Sequence, residues 1–261
     1  MRTTLVRTAS RQLVSALAVA AVLLAAPLAG ATGLRKPPKP NPIIFVHGGS
    51  GSGAQFESQA MRFTSNGYPA SHIAVLEYDS SAISTILPDV LARLDVLIAE
   101  LQASTGAAQV DLMGHSLGTT VSHAFLATPE RAANVAHYVN IDGRTSAAPP
   151  GGVPTLALWA GAVNRPVPPL IVGATNVTIA NQEHVQVATS AESFFEMYQF
   201  LQGRAPFTTR VLPQLLPEIS GRVSAFPQNA GYNPSGTVGA LTYFCAEALR
   251  SRYLKQPGPL A

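Results

Sequence analysis

Gly114-His115-Ser116-Leu117-Gly118 places a serine between two glycines, directly after the apolar run Gln109 to Met113. A hydroxyl is a poor nucleophile until a base takes its proton, and a sharp turn from a strand into a helix exposes it to one. Gly114 and Gly118 lack the side chains that would crowd such a turn. A helix is predicted to follow, from Thr119 to about Ala127. Ser116 is therefore the candidate nucleophile, and transfer of an acyl group the candidate chemistry.

A serine on such a turn is followed in chain order first by an acid and then by a histidine. The histidines are His47, His72, His115, His123, His137 and His184, and only His184 comes after Asp142. The acids between Ser116 and His184 are Glu130, Asp142 and Glu183. Glu183 adjoins His184, so their side chains tend to diverge, and Glu130 lies in a Thr-Pro-Glu-Arg turn. Asp142 directly follows the strand-like Val139-Asn140-Ile141, at the edge where open α/β sheets keep their sites. The expected triad is Ser116, Asp142 and His184. The bland alternatives are a turn or cap role for Asp142 and a surface position for His184.

Attack on a carbonyl creates an oxyanion, which needs preorganised donors. The expected pair is the backbone N–H of Leu117, opening the helix after the nucleophile, and that of Gly49 in His47-Gly48-Gly49-Ser50-Gly51. By itself the glycine-rich turn could be an ordinary tight connection. His47 is read as a structural holder of this loop, His115 as a pocket or packing residue, His123 as helical and His137 as a strand residue.

Elements must bring these segments together. Ile43 to Val46 is a short apolar run without polar alternation, the mark of a strand buried on both faces. A helix (Ala54 to Asn66), a strand (His72 to Glu77), a long amphipathic helix (Ile83 to about Ala103) and the strand Gln109 to Met113 follow. After the nucleophile's helix come strands Val135 to Ile141 and Thr155 to Trp159, separated by a loop from Gly143 to Val153. Ala191 to Leu201 is predicted to be the closing helix, ended by Gly203 and Pro206. This alternation predicts a parallel sheet with helices on both faces. From Phe207 to Ala261 the rhythm is lost, with a strand expected over Glu218 to Phe226 and a helix over Thr242 to Tyr253.

The chain has 261 residues, 47% apolar and 12% charged, enough for one sizeable core and too few charges for a disordered chain. Its formal charge of +3 includes Arg2, Arg7 and Arg11, so no nucleic-acid partner is implied. The basic opening, the apolar stretch Leu13 to Ala26 and the ending Ala29-Gly30-Ala31 predict a signal peptide over residues 1–31, hence a secreted or periplasmic protein. A retained membrane anchor is the alternative. A proline-rich leader follows over 32–41, then a catalytic domain over 42–203 and an appendage over 204–261. One cysteine, Cys245, excludes an internal disulfide, and neither metal nor organic cofactor is expected. Asn176-Val177-Thr178 fits a glycosylation acceptor and is read as coincidence. Trp159 is read as core.

With HGG after the first strand, GHSLG, and the placements of Asp142 and His184, residues 42–203 resemble bacterial lipases and esterases of the α/β-hydrolase superfamily. The resemblance implies an α/β-hydrolase fold, a mostly parallel sheet flanked by helices. Many members carry the acid after a later strand, where Trp159 to Asn164 offers no carboxylate; some lipases carry it on the earlier strand, as Asp142 would be. Glu218 to Val223 with Phe226 to Asn229 resembles the opening strand of the small C-terminal β domain of some lipases. The helical pattern from Leu241 to Tyr253 departs from that domain, so the appendage is expected to be an incomplete version of it.

The resemblance implies a secreted serine hydrolase of carboxylic esters, with a small-molecule or lipid ester as substrate and contact with a lipid interface. An acyltransferase or amidase with the same triad is the alternative within enzymes, and a catalytically silent binding protein the alternative outside them.

Overall fold

A computed structural model describes residues 40–162 and 169–213. The expected signal peptide, all but the end of the proline-rich leader, and the strand and helix expected beyond Glu218 lie outside these residues.

Six strands form one sheet: β1 (Ile43–Val46), β2 (Ile73–Leu76), β3 (Val110–His115), β4 (Val135–Ile141), β5 (Thr155–Ala160) and β6 (Thr175–Ile179). Their order is β2-β1-β3-β4-β5-β6 and every pairing is parallel. The helices are α1 (Glu57–Ser65), α2 (Ile83–Thr105), α3 (Leu117–Leu126), α4 (Pro129–Ala132), α5 (Gln186–Thr189) and α6 (Ala191–Gln202). A 3-10 turn, Gly53–Phe56, leads into α1.

Alternate strand residues serve two cores, as the period of two requires. Ile43, Phe45 and Met113 pack with Phe63 of α1 and Phe194 of α6 on one face. Ile44, Val46 and Leu112 pack with Leu94 of α2 and Phe125 of α3 on the other. All four residues of β1 are fully buried, which explains why its sequence shows no polar alternation. Each such side chain contributes about 1.5–3 kcal/mol by leaving water.

β6 was not expected from the sequence. Thr175, Asn176 and Thr178 are exposed on this edge strand, so Thr-Asn-Val-Thr-Ile carries little apolar signal. Asn176 of the glycosylation-like triplet is structural: its Oδ1 accepts from the indole N–H of Trp159 (3.1 Å) and the amide of Ile171 (3.0 Å). Trp159 itself is buried beside Ile171, as read. Helix α3 begins at Leu117, two residues earlier than predicted, because the turn at Ser116 is complete in one residue. No helix among the described residues is long and apolar enough to cross a membrane.

The chain order runs outward in opposite directions from β1 and β3, which are neighbours. In open α/β sheets the crevice beyond the carboxyl ends of such a strand pair is where ligands bind. His47-Gly48-Gly49 leaves β1 there, and Ser116 leaves β3.

Candidate active site

Ser116 links β3 to α3 with φ 53° and ψ −120°, a conformation that costs a residue with a side chain about 1–3 kcal/mol. Its surroundings hold it there. Its amide donates to Ile141 O at 3.0 Å, and the Thr119 hydroxyl donates to its carbonyl at 2.6 Å. A Cβ on Gly118 would run into the carbonyl oxygens of Val46 and His47, and one on Gly114 would sit 2.7 Å from Ser122 Oγ. The two glycines of GHSLG are thus required by close packing of the elbow onto β1 and α3.

Asp142 follows β4 with φ 40° and is 4% exposed. Its amide donates to Leu158 O (2.7 Å), while its Oδ1 accepts from the amide of Ala160 (3.0 Å). Its Oδ2 meets His184 Nδ1 at 2.6 Å. A carboxylate only accepts, so Nδ1 carries the proton, and a neutral His184 ring then has its basic lone pair on Nε2. The His184 side chain is 45% exposed, whereas that of Asp142 is fully enclosed. Among the described residues Ser116 Oγ makes no hydrogen bond to His184. Such bonds are often long before substrate binds and tighten in the complex.

Glu130 and Glu183 are exposed, Glu130 in α4 and Glu183 with its amide bonded to Gln186 Oε1. The second Asp–His pair, Asp111 with His137 at 2.9 Å, lies at the amino end of the sheet. Five strand residues, about 16 Å, separate Asp111 from the Ser116 end of β3. Of the carboxylates considered, Asp142 is the one brought to His184.

Leu117 is the first residue of α3, where a helix leaves its N–H groups without intrahelical partners. Gly49 is exposed, and a Cβ on it would stand 4.0 Å from Leu117 Cδ2, so the two segments meet. The amides of Ser50 and Gly51 are already engaged, by Ser80 Oγ at 2.8 Å and Gly48 O at 3.2 Å. His47 holds this loop as expected. It stacks on Tyr78 at 4.2 Å, its Nδ1 lies 2.9 Å from Gly48 O, and Tyr78 OH donates to its carbonyl at 2.7 Å. Burial lowers the pKa of His47, which suits a neutral structural ring.

His123 lies in α3 and His137 in β4, as read. His115 is buried at the end of β3, with its ring 4.6 Å from that of His184. Thr119 and Gln55 were not singled out from the sequence. Thr119 accepts from the amide of Arg144 at 2.7 Å while donating to Ser116 O, and Gln55 Nε2 lies 2.6 Å from His115 Nδ1. A hydroxyl bonded to its own helix turn and a lone amide in a 3-10 turn leave no periodic signal. Among the described residues, no group of three His, Cys, Asp or Glu side chains is placed to hold a metal ion.

Residues 40–130 match the model of the class 2 lipase family, a stretch that holds β1, the glycine-rich turn, β3 and the Ser116 elbow. That stretch is about a third of the chain, and over it the chain is similar to these lipases. Several solved structures are similar to it at low identity. A CIB-like hydrolase of Thermoplasma acidophilum is 16% identical with a TM-score of 0.46, over 65% of this chain and 89% of that one. The metagenome-derived lipolytic enzymes described as LipS and LipT give 15% and 0.46, over 63% and 95%. An α/β hydrolase from the metagenome of lagoon sediments at Mar Chica, Morocco, gives 20% and 0.45, over 63% and 90%. One curated protein, a gluconate 2-dehydrogenase flavoprotein of Pantoea cypripedii, is 68% identical over 37 residues. That match spans 14% of this chain and only 6% of the flavoprotein, and carries no activity across.

Proposed function

We propose that this hydrolase cleaves carboxylic esters, lipid esters among them, through an acyl-enzyme on Ser116. The observation that carries the proposal is the 2.6 Å bond from His184 Nδ1 to the enclosed carboxylate of Asp142, on the sheet edge where Ser116 occupies its strained elbow.

In this reading His184 Nε2 takes the proton of Ser116 as Oγ attacks the carbonyl carbon. The carbonyl π electrons move to oxygen, and the oxyanion accepts from the amides of Gly49 and Leu117. Each such donor is worth about 2.7–4 kcal/mol of barrier. Asp142 holds the ring in the required tautomer and stabilises the imidazolium. Collapse expels the alcohol, which leaves with the proton from His184. Water then adds to the acyl carbon, giving its proton to the same nitrogen, and the acid departs with Ser116 restored. The basic and apolar opening of the chain supports export, placing the reaction outside the cytoplasm.

The test is turnover of p-nitrophenyl esters from short to long acyl chains, with the secreted protein beside Ser116→Ala. Activity lost in the variant supports the proposal, and the chain-length profile divides esterase from lipase. A folded wild-type protein that turns over none of them, or a variant that retains activity, contradicts it.

A further inference from the structure

His184 is weakly held for a residue asked to move protons. It stands in the connection between β6 and α5, and its neighbours Glu183, Val185 and Gln186 are exposed. The bond to Asp142 fixes one ring nitrogen, about which a side chain can still pivot. The second tether of His184 is on its main chain: its carbonyl lies 2.9 Å from His115 Nε2. His115 is 3% exposed and directly precedes Ser116, so this tether is measured from the backbone of the nucleophile itself.

The bonding fixes the state of the His115 ring. A carbonyl only accepts, so Nε2 carries the proton. In the neutral ring Nδ1 then accepts from the Gln55 amide at 2.6 Å. Gln55 is held in turn by the 3-10 turn, where its own amide bonds Ser52 O and the amide of Gly53 donates to Glu77 Oε1 at 2.7 Å. Burial pushes the pKa of His115 down to about 4, with the main-chain bond to His184 and the charge of Asp142 acting against that and the charge of His184 with it. A neutral ring 4.6 Å from His184 leaves room for the imidazolium, which a second cation would oppose.

We propose that His115 is a positioning residue: oriented by Gln55, it holds the main-chain carbonyl of His184 and thereby sets the imidazole against Ser116. The inference rests on His184 acting as the base.

The experiment compares the full-length secreted protein with His115→Phe, His115→Gln and Gln55→Leu. It reads kcat and KM on p-nitrophenyl butyrate, and the far-downfield proton resonance of the bond between His184 Nδ1 and Asp142. Loss of a group that orients a working residue typically costs about 10- to 100-fold in activity. His115→Phe is expected to lower kcat by about that factor with KM nearly unchanged, and to shift or broaden the resonance. His115→Gln, whose amide reaches the place of Nε2, restores most of the rate. Gln55→Leu, at a half-buried site, lowers kcat with KM unchanged even should the Phe variant fail to fold. Wild-type kcat and an unmoved resonance in His115→Phe or in Gln55→Leu overturn the inference, as does equal loss in the Phe and Gln variants. Ser116→Ala separates the two readings: activity independent of Ser116 sinks the function proposed above, whereas Ser116-dependent activity indifferent to His115 and Gln55 sinks this inference alone.

Discussion

The hydroxyl of Thr119 donates to the main-chain carbonyl of Ser116 at 2.6 Å while accepting from the amide of Arg144 at 2.7 Å. Ser116 and Asp142 both have positive φ, and Arg144 is two residues beyond Asp142. One fully buried hydroxyl thus ties the turn that carries the nucleophile to the loop that carries the acid. Thr119→Val keeps the shape and removes both bonds, leaving the Arg144 amide without its partner. Loss of a buried partner costs about 1–3 kcal/mol. Urea unfolding is expected to show a free energy of unfolding lower by that amount, and kcat/KM is expected to fall further than in Thr119→Ser, which keeps the hydroxyl.

Asp142→Ala is expected to lower kcat by about 10⁴-fold, the scale seen when a triad acid is lost, because the His184 ring then has neither its tautomer nor its counter-charge fixed. Glu130→Ala, on exposed α4, should leave kcat unchanged. Steady-state kinetics of the two variants checks both statements, and the reverse pattern would remove Asp142 from the site.

Stability should peak near neutral pH. His115 and His123 are pushed by burial down to about 4, against about 6.5 in an unfolded chain. Their folded forms bind fewer protons than the unfolded chain between those values, so stability is lost as pH falls from about 6.5 toward 4. The opposite sign holds for the pair at the amino end of the sheet. The hydrogen bond to Asp111 raises the pKa of His137 there. The folded state then keeps protons to higher pH, and stability is lost as pH rises above about 6.5 through the folded His137 value. Thermal melts from pH 4 to 9 are expected to show both limbs. His137→Gln should flatten the alkaline one and leave the acid one.

What could be read in the sequence followed from how strongly each element departs from water. Ile43 to Val46 and the run into His115 are buried on both faces, so their apolar letters alone mark them as strands. The Asp142–His184 contact was legible because chain order leaves His184 as the histidine, and of the three acids between it and Ser116 only Asp142 directly follows a strand. β6 was not, since it lies at the sheet edge with three of its five side chains in solvent. Gln55 and Thr119 were hidden for another reason: each acts through one polar atom on a group distant in sequence, and only the packing of the 3-10 turn, the elbow and the acid loop brings those atoms together. The Asp111–His137 pair shows the converse, a carboxylate and a histidine in hydrogen-bond contact at the end of the sheet opposite Ser116.

In the proposed reaction Ser116 becomes acylated. A fluorophosphonate that mimics the ester would be mixed with the wild-type protein, and peptide mass mapping would locate the adduct. A single adduct is expected on the peptide that contains Ser116, formed slowly or not at all in Asp142→Ala and absent in Ser116→Ala. An adduct on any other residue, or none on a folded protein that hydrolyses esters, would contradict that reaction.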